Sequence, residues 1–548
     1  MKKGLRILGA SIAGCVHVAG MLKFLQTAKD EGFNVSFGGS ALEIDDLVLK
    51  VDEFKPDILG ISYRLSPESA IIAFKELLKK LEKKIEKKEI ILILGTTKSV
   101  AEALDKEGIS KNFIRVFTGG ESQKEISDFL KGHKFENYKE NIPPQLLLDR
   151  VVYNRPVPLL RHHYGRPDFN ETVEGIKQIA KSGVLDIISL GPDQNTQEFF
   201  FHPEKMKGNL NGAGGVPIRT SDDLIKLRDA ARTGNFPIMR CYSGTNDIIR
   251  FAQVLHETIE NAWCAVPLCW YNELDNRSSR KLEYAIKENQ KVMKWHAERG
   301  IPVEVNESHH WSLRYAPDSV AVAAAYLAAY NAKKMGVSNY VAQYMFNTPP
   351  ETNFSMDLAK MLAKIELIES LHDESFNSLR ETRTGLFSMT SNLFKNKGQL
   401  ASSTYLQMQL KPHIVHVVAS CESEYAAKPD DIIESCFIVS RVMENILDGS
   451  PAMLIDESIS ERKKILVNDA MEILEAIKKL DYDNKFENPL AEPEIIGMAI
   501  RKGIMDAPHL KGVPAAKGEI KTGFINGACV SIDDSGKILN EKERLKNI

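Results

Sequence analysis

Cys15-Val16-His17-Val18-Ala19-Gly20 is the stretch whose reading decides the first half of the fold. The apolar run at 5–12 before it has the length and composition of a buried strand. A helical pattern at 21–31 follows it. A histidine in such a strand-to-helix loop stands at the carboxyl end of a strand, where open α/β sheets bind their ligands. By itself His17 is one loop histidine among 13, so its neighbours have to give it meaning.

Outward from that loop, residues 1–132 alternate strand and helix. Strands are predicted at 5–12, 34–37, 58–62, 90–94 and 114–117, and the Lys/Glu-rich helix at 68–88 reads as a solvated face. Five such β-α units predict a flavodoxin-like (Rossmann-type) α/β domain. Its strands end in small residues: Gly38-Gly39, Ser62, Gly95-Thr96-Thr97 and Thr118-Gly119-Gly120. Small residues on the ligand-binding edge let a bulky group approach the backbone.

The polar, then proline-bearing stretch 133–160 reads as a linker. Residues 161–480 alternate again, with strands predicted at 185–190, 237–240, 264–270, 303–305, 340–344, 386–390 and 414–419. Helices are predicted at 222–232, 247–261, 281–299, 319–335 and 355–371. Seven strands and one more without a clear signal predict a TIM (β/α)8 barrel. Residues 481–548 leave that rhythm and read as a small C-terminal extension packed on the barrel.

Composition narrows the function classes. A formal charge of −3 gives no electrostatic case for nucleic acid or an anionic membrane, and no apolar run is long enough to span a bilayer. Met1-Lys2-Lys3 precedes no small-residue cleavage site, so no secretory signal is expected. The seven cysteines are scattered, without a CxxC pair, which argues against zinc and a disulfide framework and for a reducing cytoplasm.

A histidine in the first β-α loop with slots at the other strand ends suits a corrinoid, whose cobalt would take the imidazole nitrogen from below. At this point the chain resembles a known family. Residues 1–132 are similar to cobalamin-binding domains of the base-off, histidine-on type, whose pattern is Asp-x-His-x-x-Gly, then Ser-x-Leu, then a glycine pair. Here Cys15 stands for the aspartate, His17 and Gly20 are kept, Ser62-Tyr63-Arg64 has arginine for leucine, and Gly95-Thr96 stands for the glycine pair. Gly119-Gly120 falls at the last strand end. Residues 160–548 resemble the catalytic subunit of glutamate mutase (methylaspartate mutase). The likeness runs through Ile238-Met239-Arg240-Cys241-Tyr242-Ser243-Gly244-Thr245, Trp270-Tyr271-Asn272, Gly336-Val337-Ser338-Asn339 and Gly503-Ile504-Met505-Asp506-Ala507-Pro508.

The resemblance implies both family subunits fused in one chain, with the cobalamin domain first. It makes His17 the cobalt ligand, and Cys15, Gly20, Ser62, Arg64, Gly95, Thr96, Gly119, Gly120 and Gly191 cofactor contacts. Arg240, Tyr271, Glu422 and Glu424 become catalytic candidates, and His163, Gln197, Arg240 and Tyr271 substrate contacts. The departures are informative. The family holds two carboxylates with three arginines, of which Arg240 alone has a clear counterpart; the others fall near His163 and Gln197. The carboxylate that anchors the substrate amine falls near Ala265, and a lysine near the coenzyme falls around Val418 to Ser420. Each desolvated charged hydrogen bond contributes about 1.5–3 kcal/mol, so losing two forks argues against glutamate.

The expected function is therefore an adenosylcobalamin-dependent carbon-skeleton mutase, rearranging by radicals a small carboxylic acid other than glutamate, in a homo-oligomer such as a dimer. The alternatives are a corrinoid-dependent methyltransferase and a non-catalytic corrinoid-binding protein. Arg240 could instead form a structural ion pair. The pairs His162-His163 and His309-His310 read as polar pocket walls or solvated loops, with a second metal site as the alternative.

Overall fold

The computed structural model describes residues 5–121, 123–132, 142–546 and 548. Long-range contacts divide the chain into two units, Met1–Ile142 and Pro143–Ile548.

In the first unit five parallel strands, β1 (Arg6–Ile12), β2 (Asn34–Leu42), β3 (Ile58–Tyr63), β4 (Ile91–Thr96) and β5 (Arg115–Phe117), lie in the order β2-β1-β3-β4-β5. This is the flavodoxin-like order, and its topological switch falls beside β1. The inner strands β1, β3 and β4 are buried on both faces, which is why they read as continuous apolar runs, while the edge strand β2 is at most half-buried. Leu8, Ala10, Leu59, Ile61, Leu92 and Leu94 pack under the helices Ile44–Phe54, Pro67–Glu86 and Lys98–Lys106. Ile7, Ile58, Ile93 and Phe117 pack under Ala19–Asp30 and Gln123–Gly132. Helix Ala19–Asp30 sits so close to the sheet that a Cβ at Gly9 would meet the Met21 sulfur at 2.7 Å.

The second unit is an eight-stranded parallel sheet rolled into a nearly closed barrel. Its strands are β6 (Leu159–Tyr164), β7 (Ile187–Leu190), β8 (Ile238–Cys241), β9 (Cys264–Val266), β10 (Val303–Val305), β11 (Asn339–Phe346), β12 (Asn377–Thr384) and β13 (Ile414–His416). They are hydrogen-bonded in chain order, and β13 returns to β6. Between β8 and β9 the seam is bridged by Ala262 N–H to Met239 O (2.9 Å) and Ser243 N–H to Ala265 O (3.2 Å).

Several sequence expectations change here. The strand predicted at 386–390 is a 3-10 turn, Leu386–Ser388, and the barrel strand is Asn377–Thr384. Its sequence, Asn-Ser-Leu-Arg-Glu-Thr-Arg-Thr, has no apolar run because alternate positions carry ionic groups into the barrel. The strand without a clear signal is Leu159–Tyr164, hidden for the same reason by Arg161, His162 and His163. Of the stretch read as a linker, residues 133–141 lie outside the described residues. Residues 143–160 belong to the second unit and include helix Leu147–Asn154. Leu147 and Val151 of that helix pack with Leu159, Ile187, Ile238, Trp263, Val341 and Ile414, the innermost barrel residues at the amino ends of the strands.

Beyond residue 480 the chain adds helix Pro493–Lys502, an antiparallel hairpin of β14 (Thr522–Ile525) and β15 (Ala528–Ser531), and helix Glu541–Leu545. Asn526-Gly527, both at positive φ, makes the tight turn that such hairpins favour. The hairpin is fastened to helix Asp318–Lys334 through Asp318, which accepts from Cys529 N–H (3.2 Å) and from Arg462 (3.1 Å). No helix among the described residues is long and apolar enough to cross a membrane.

Candidate functional site

In the first unit the loop after β1 stands on the carboxyl edge of the sheet with His17 exposed and Cys15 fully buried. The loop is fixed by its neighbours. Ser62 at the end of β3 donates its hydroxyl to His17 O (2.9 Å), and Arg64 donates its backbone N–H to Cys15 Sγ (3.3 Å). The Cys15 sulfur faces His17 Nδ1 at 3.9 Å, so the thiol stands where a partner orienting the imidazole would be. Thr96 donates to Tyr63 O (2.6 Å), joining the ends of β3 and β4. Around this loop the edge is open. A Cβ at Gly20 or Gly120 would meet nothing within 4 Å, and one at Gly95 only the Ile61 carbonyl oxygen at 3.9 Å. Gly119 adopts φ +93°, conformational space that favours glycine, with the Arg64 guanidinium beside it.

The barrel interior is layered, because residues two apart on a strand share a face. Above the apolar layer comes a layer of charge. Arg161 from β6, Ser189 from β7, Arg240 from β8, Glu304 from β10 and Glu381 from β12 are all sealed from solvent. Arg161 donates to Ser189 Oγ (2.7 Å) and pairs with Glu381 Oε1, while Glu304 Oε2 lies 3.6 Å from it. Arg240 Nη2 donates to Glu304 Oε2 (2.7 Å), which also takes the Trp263 indole N–H (2.7 Å). Gln343 from β11 reaches Glu304 Oε1 (3.2 Å). Burial alone would raise the Glu304 carboxyl pKa, but Arg240 and Arg161 hold it below the ordinary range. Glu381 goes the other way, burial outweighing Arg161.

The next layer, toward the carboxyl ends, holds His163, Gly191, Tyr242 and Arg383. Arg161 Nη2 donates to His163 Nε2 (3.2 Å), so that nitrogen carries a lone pair. The Tyr242 hydroxyl lies 3.0 Å from the same nitrogen and shares its lone pair with Arg161. The two rings stack 5.2 Å apart, and the Arg240 guanidinium lies 4.7 Å from the Tyr242 centroid. His416 from β13 packs edge-on against His163 at 4.7 Å. Burial, reinforced by Arg161 and Arg383, keeps His163 and His416 neutral; the same burial holds His309, with Arg383 next, down at about 3.

The candidates from sequence divide as follows. Arg240 and His163 meet, through Tyr242. Tyr271, at φ +67°, is held by Arg277 over its ring (4.5 Å), and burial pushes its phenol up to about 12. Gln197 donates to Pro192 O (2.8 Å), and its own carbonyl accepts from Thr245 N–H (2.9 Å), both bonds that pin loops together. Glu422 lies 2.9 Å from His162 Nε2, and Glu424 is exposed. The Gly191 carbonyl accepts from Val216 N–H (2.8 Å) and would overlap a Cβ at Gly165 or Gly215. Among the described residues no three His, Cys, Asp or Glu side chains converge as a metal-ligand set. Arg161, Tyr242, Glu304, Glu381, Arg383 and His416 escaped sequence reasoning. The available signal was charge at alternate positions in 159–164 and 377–384. The carboxylate missing at Ala265 has a neighbour in Glu304, its register partner on β10, though Glu304 is spent on Arg240.

No family model and no curated protein matches the chain. Two solved structures of the cobalamin-dependent S-adenosylmethionine radical enzyme OxsB are similar to it. The form with aqua-cobalamin and S-adenosylmethionine bound has 9% identity and a TM-score of 0.17, covering 92% of this chain and 72% of that one. The apo, selenomethionine-labelled form has 10% identity and a TM-score of 0.18, covering 91% and 71%.

Proposed function

We propose that the chain is an adenosylcobalamin-dependent carbon-skeleton mutase acting on a small carboxylic acid other than glutamate. The observation that carries this reading is the loop after β1. An exposed histidine, clamped at its carbonyl by Ser62 and faced at Nδ1 by Cys15, stands at the switch point of a β2-β1-β3-β4-β5 sheet. The neighbouring strand ends are open at Gly95 and Gly120. That edge fits a corrinoid. His17 would hold the cobalt through the nitrogen that does not face Cys15, and Ser62, Thr96, Gly95, Gly119 and Gly120 would line the slot for the nucleotide tail.

Bound adenosylcobalamin supplies a carbon radical by homolysis of its cobalt–carbon bond; the protein supplies binding, orientation and exclusion of water. In the barrel, Arg161, Glu304, Arg240 and Glu381 form a sealed lattice that fixes the position of His163 and Tyr242. Neutral His163, His309 and His416 offer polar groups without adding charge. Tyr242, its hydroxyl hydrogen-bonded to His163 Nε2, presents a phenol ring stacked between imidazole and guanidinium.

The test loads the full chain anaerobically with adenosylcobalamin and reduces the cofactor to the cobalt(II) state. With 15N-histidine labelling, the nitrogen splitting in the electron paramagnetic resonance spectrum should change from triplet to doublet, and His17→Ala should lose it. A splitting insensitive to the label, or no uptake of corrinoid, would refute the reading. Retention of methylcobalamin with methyl transfer, and no hydrogen exchange into any acid, would favour the methyltransferase.

A further inference from the structure

Among the described residues the lumen sets three arginines against three carboxylates, but only two of the arginines stand in direct ion pairs. Glu304 is matched by Arg240 (2.7 Å), Glu381 by Arg161, and Glu422 lies 2.9 Å from the His162 imidazole. Arg383 has no carboxylate within ion-pair distance among the described residues, and its Nε finds no hydrogen-bond partner. Arg240 and Arg383 also differ in access. Arg240 is completely sealed under Trp263 and Tyr242, whereas Arg383, one layer nearer the carboxyl ends of the strands, is partly exposed.

We propose that Arg383, and not Arg240, receives the carboxylate of the substrate, and that the substrate is a monocarboxylic acid. This deepens the mutase reading and rests on it only for calling the ligand a substrate. Arg383 leaves β12 on the same face as Glu381, two residues before it, so it points into the barrel. The groups in its electrostatic reach are Tyr242, Arg161, Glu422, Glu381, His163, His309, His310 and His416. Glu381 is committed to Arg161, Glu422 faces His162, and burial keeps the four imidazoles neutral. One carboxylate entering this ring therefore finds one free guanidinium fork and neutral polar neighbours. A second carboxylate on the same molecule would find no free cation, and an unpaired buried charge is strongly disfavoured. Arg240 acts at one remove: its guanidinium fixes Tyr242, and through it His163.

The experiment measures calorimetric binding of butanoate and of butanedioate to the full chain, with Arg383→Gln and Arg383→Lys beside it. Butanoate should bind the native chain and lose about tenfold or more in affinity with Arg383→Gln, the cost of its charged hydrogen bonds. Arg383→Lys should keep part of the binding, which shows that the site still folds. Butanedioate should bind no tighter than butanoate. The proposal is overturned if butanoate does not bind, if Arg383→Gln binds it as well as the native chain does, or if butanedioate binds about tenfold tighter than butanoate. Corrinoid uptake is read by absorbance in the same samples. Failure of uptake with Arg383-dependent butanoate binding intact would sink the mutase reading and leave this one standing.

Discussion

Glu304→Gln tests the lattice on which the barrel site is built. Glu304 is fully buried and receives Arg240 Nη2, the Trp263 indole N–H and Gln343 Nε2. The substitution removes the negative charge opposite a sealed guanidinium and turns one acceptor into a donor facing other donors. Breaking a buried pair from one side costs about 3–5 kcal/mol, because the surviving charge stays desolvated. At about 2.1 cal/mol/K per residue, a unit of roughly 400 residues unfolds with about 0.85 kcal/mol/K, so Tm should fall by about 4–6 °C. Arg240→Met should cost less, since Glu304 keeps Arg161 at 3.6 Å. The double variant should recover much of the Glu304→Gln loss, because no uncompensated charge remains between the two. The assay is thermal unfolding by circular dichroism with both singles and the double, in one buffer at pH 7. A fall of less than about 1 °C for Glu304→Gln, or strictly additive losses, would refute the claim that Glu304 neutralises Arg240.

Acid should destabilise the barrel early. His163, His296, His309, His310 and His416 are held below their ordinary pKa, chiefly by burial, with His296 at about 4 and His309 at about 3. Above the unfolded value both states are neutral. Below it the unfolded chain takes up protons first, so stability falls as pH drops, by up to about 1.4 kcal/mol per unit for each histidine. A Tm constant between pH 7 and pH 5 would contradict this. Cys15→Asp should strengthen the histidine-ligated corrinoid spectrum, by about tenfold in ligand occupancy, since a carboxylate is the better acceptor for the imidazole N–H. His17→Ala should abolish it, and no change in either would mean that His17 is not the ligand. Lys364 is buried on helix Phe354–Glu369 without an acidic partner among the described residues, and burial with Lys360 nearby brings its amine down to about 7. Lys364→Met should stabilise the chain by several kcal/mol, up to about 5 from the shift of its amine at about 1.4 kcal/mol per unit. The gain should be complete below about pH 7 and vanish above about pH 10.5, the ordinary lysine value, in unfolding titrations at several pH values.

The first unit was legible from residues alone because a doubly wound sheet is apolar on both faces. Its inner strands β1, β3 and β4 appear as short hydrophobic runs, and the helices between them carry their own periodicity, so order and loop positions follow from the chain. His17 and Cys15 could be placed at the carboxyl edge for the same reason. In the barrel, the strands whose apolar residues outweigh their polar ones, such as β11 with Val341, Ala342 and Tyr344, were readable too. Two of the strands that carry the chemistry, β6 and β12, were not. Arg161 on β6 and Glu381 and Arg383 on β12 break the hydrophobic signal, and their charges read as loop until another strand supplies the opposite charge. Which arginine is spent and which is free is a matter of pairing across the lumen, between residues 64 to 220 positions apart. Desolvation and Coulomb attraction act on distance in space, so the sequence named the charged residues, and only the rolled barrel decided that Arg240 is sealed against Glu304 while Arg383 stands without a carboxylate at ion-pair distance among the described residues.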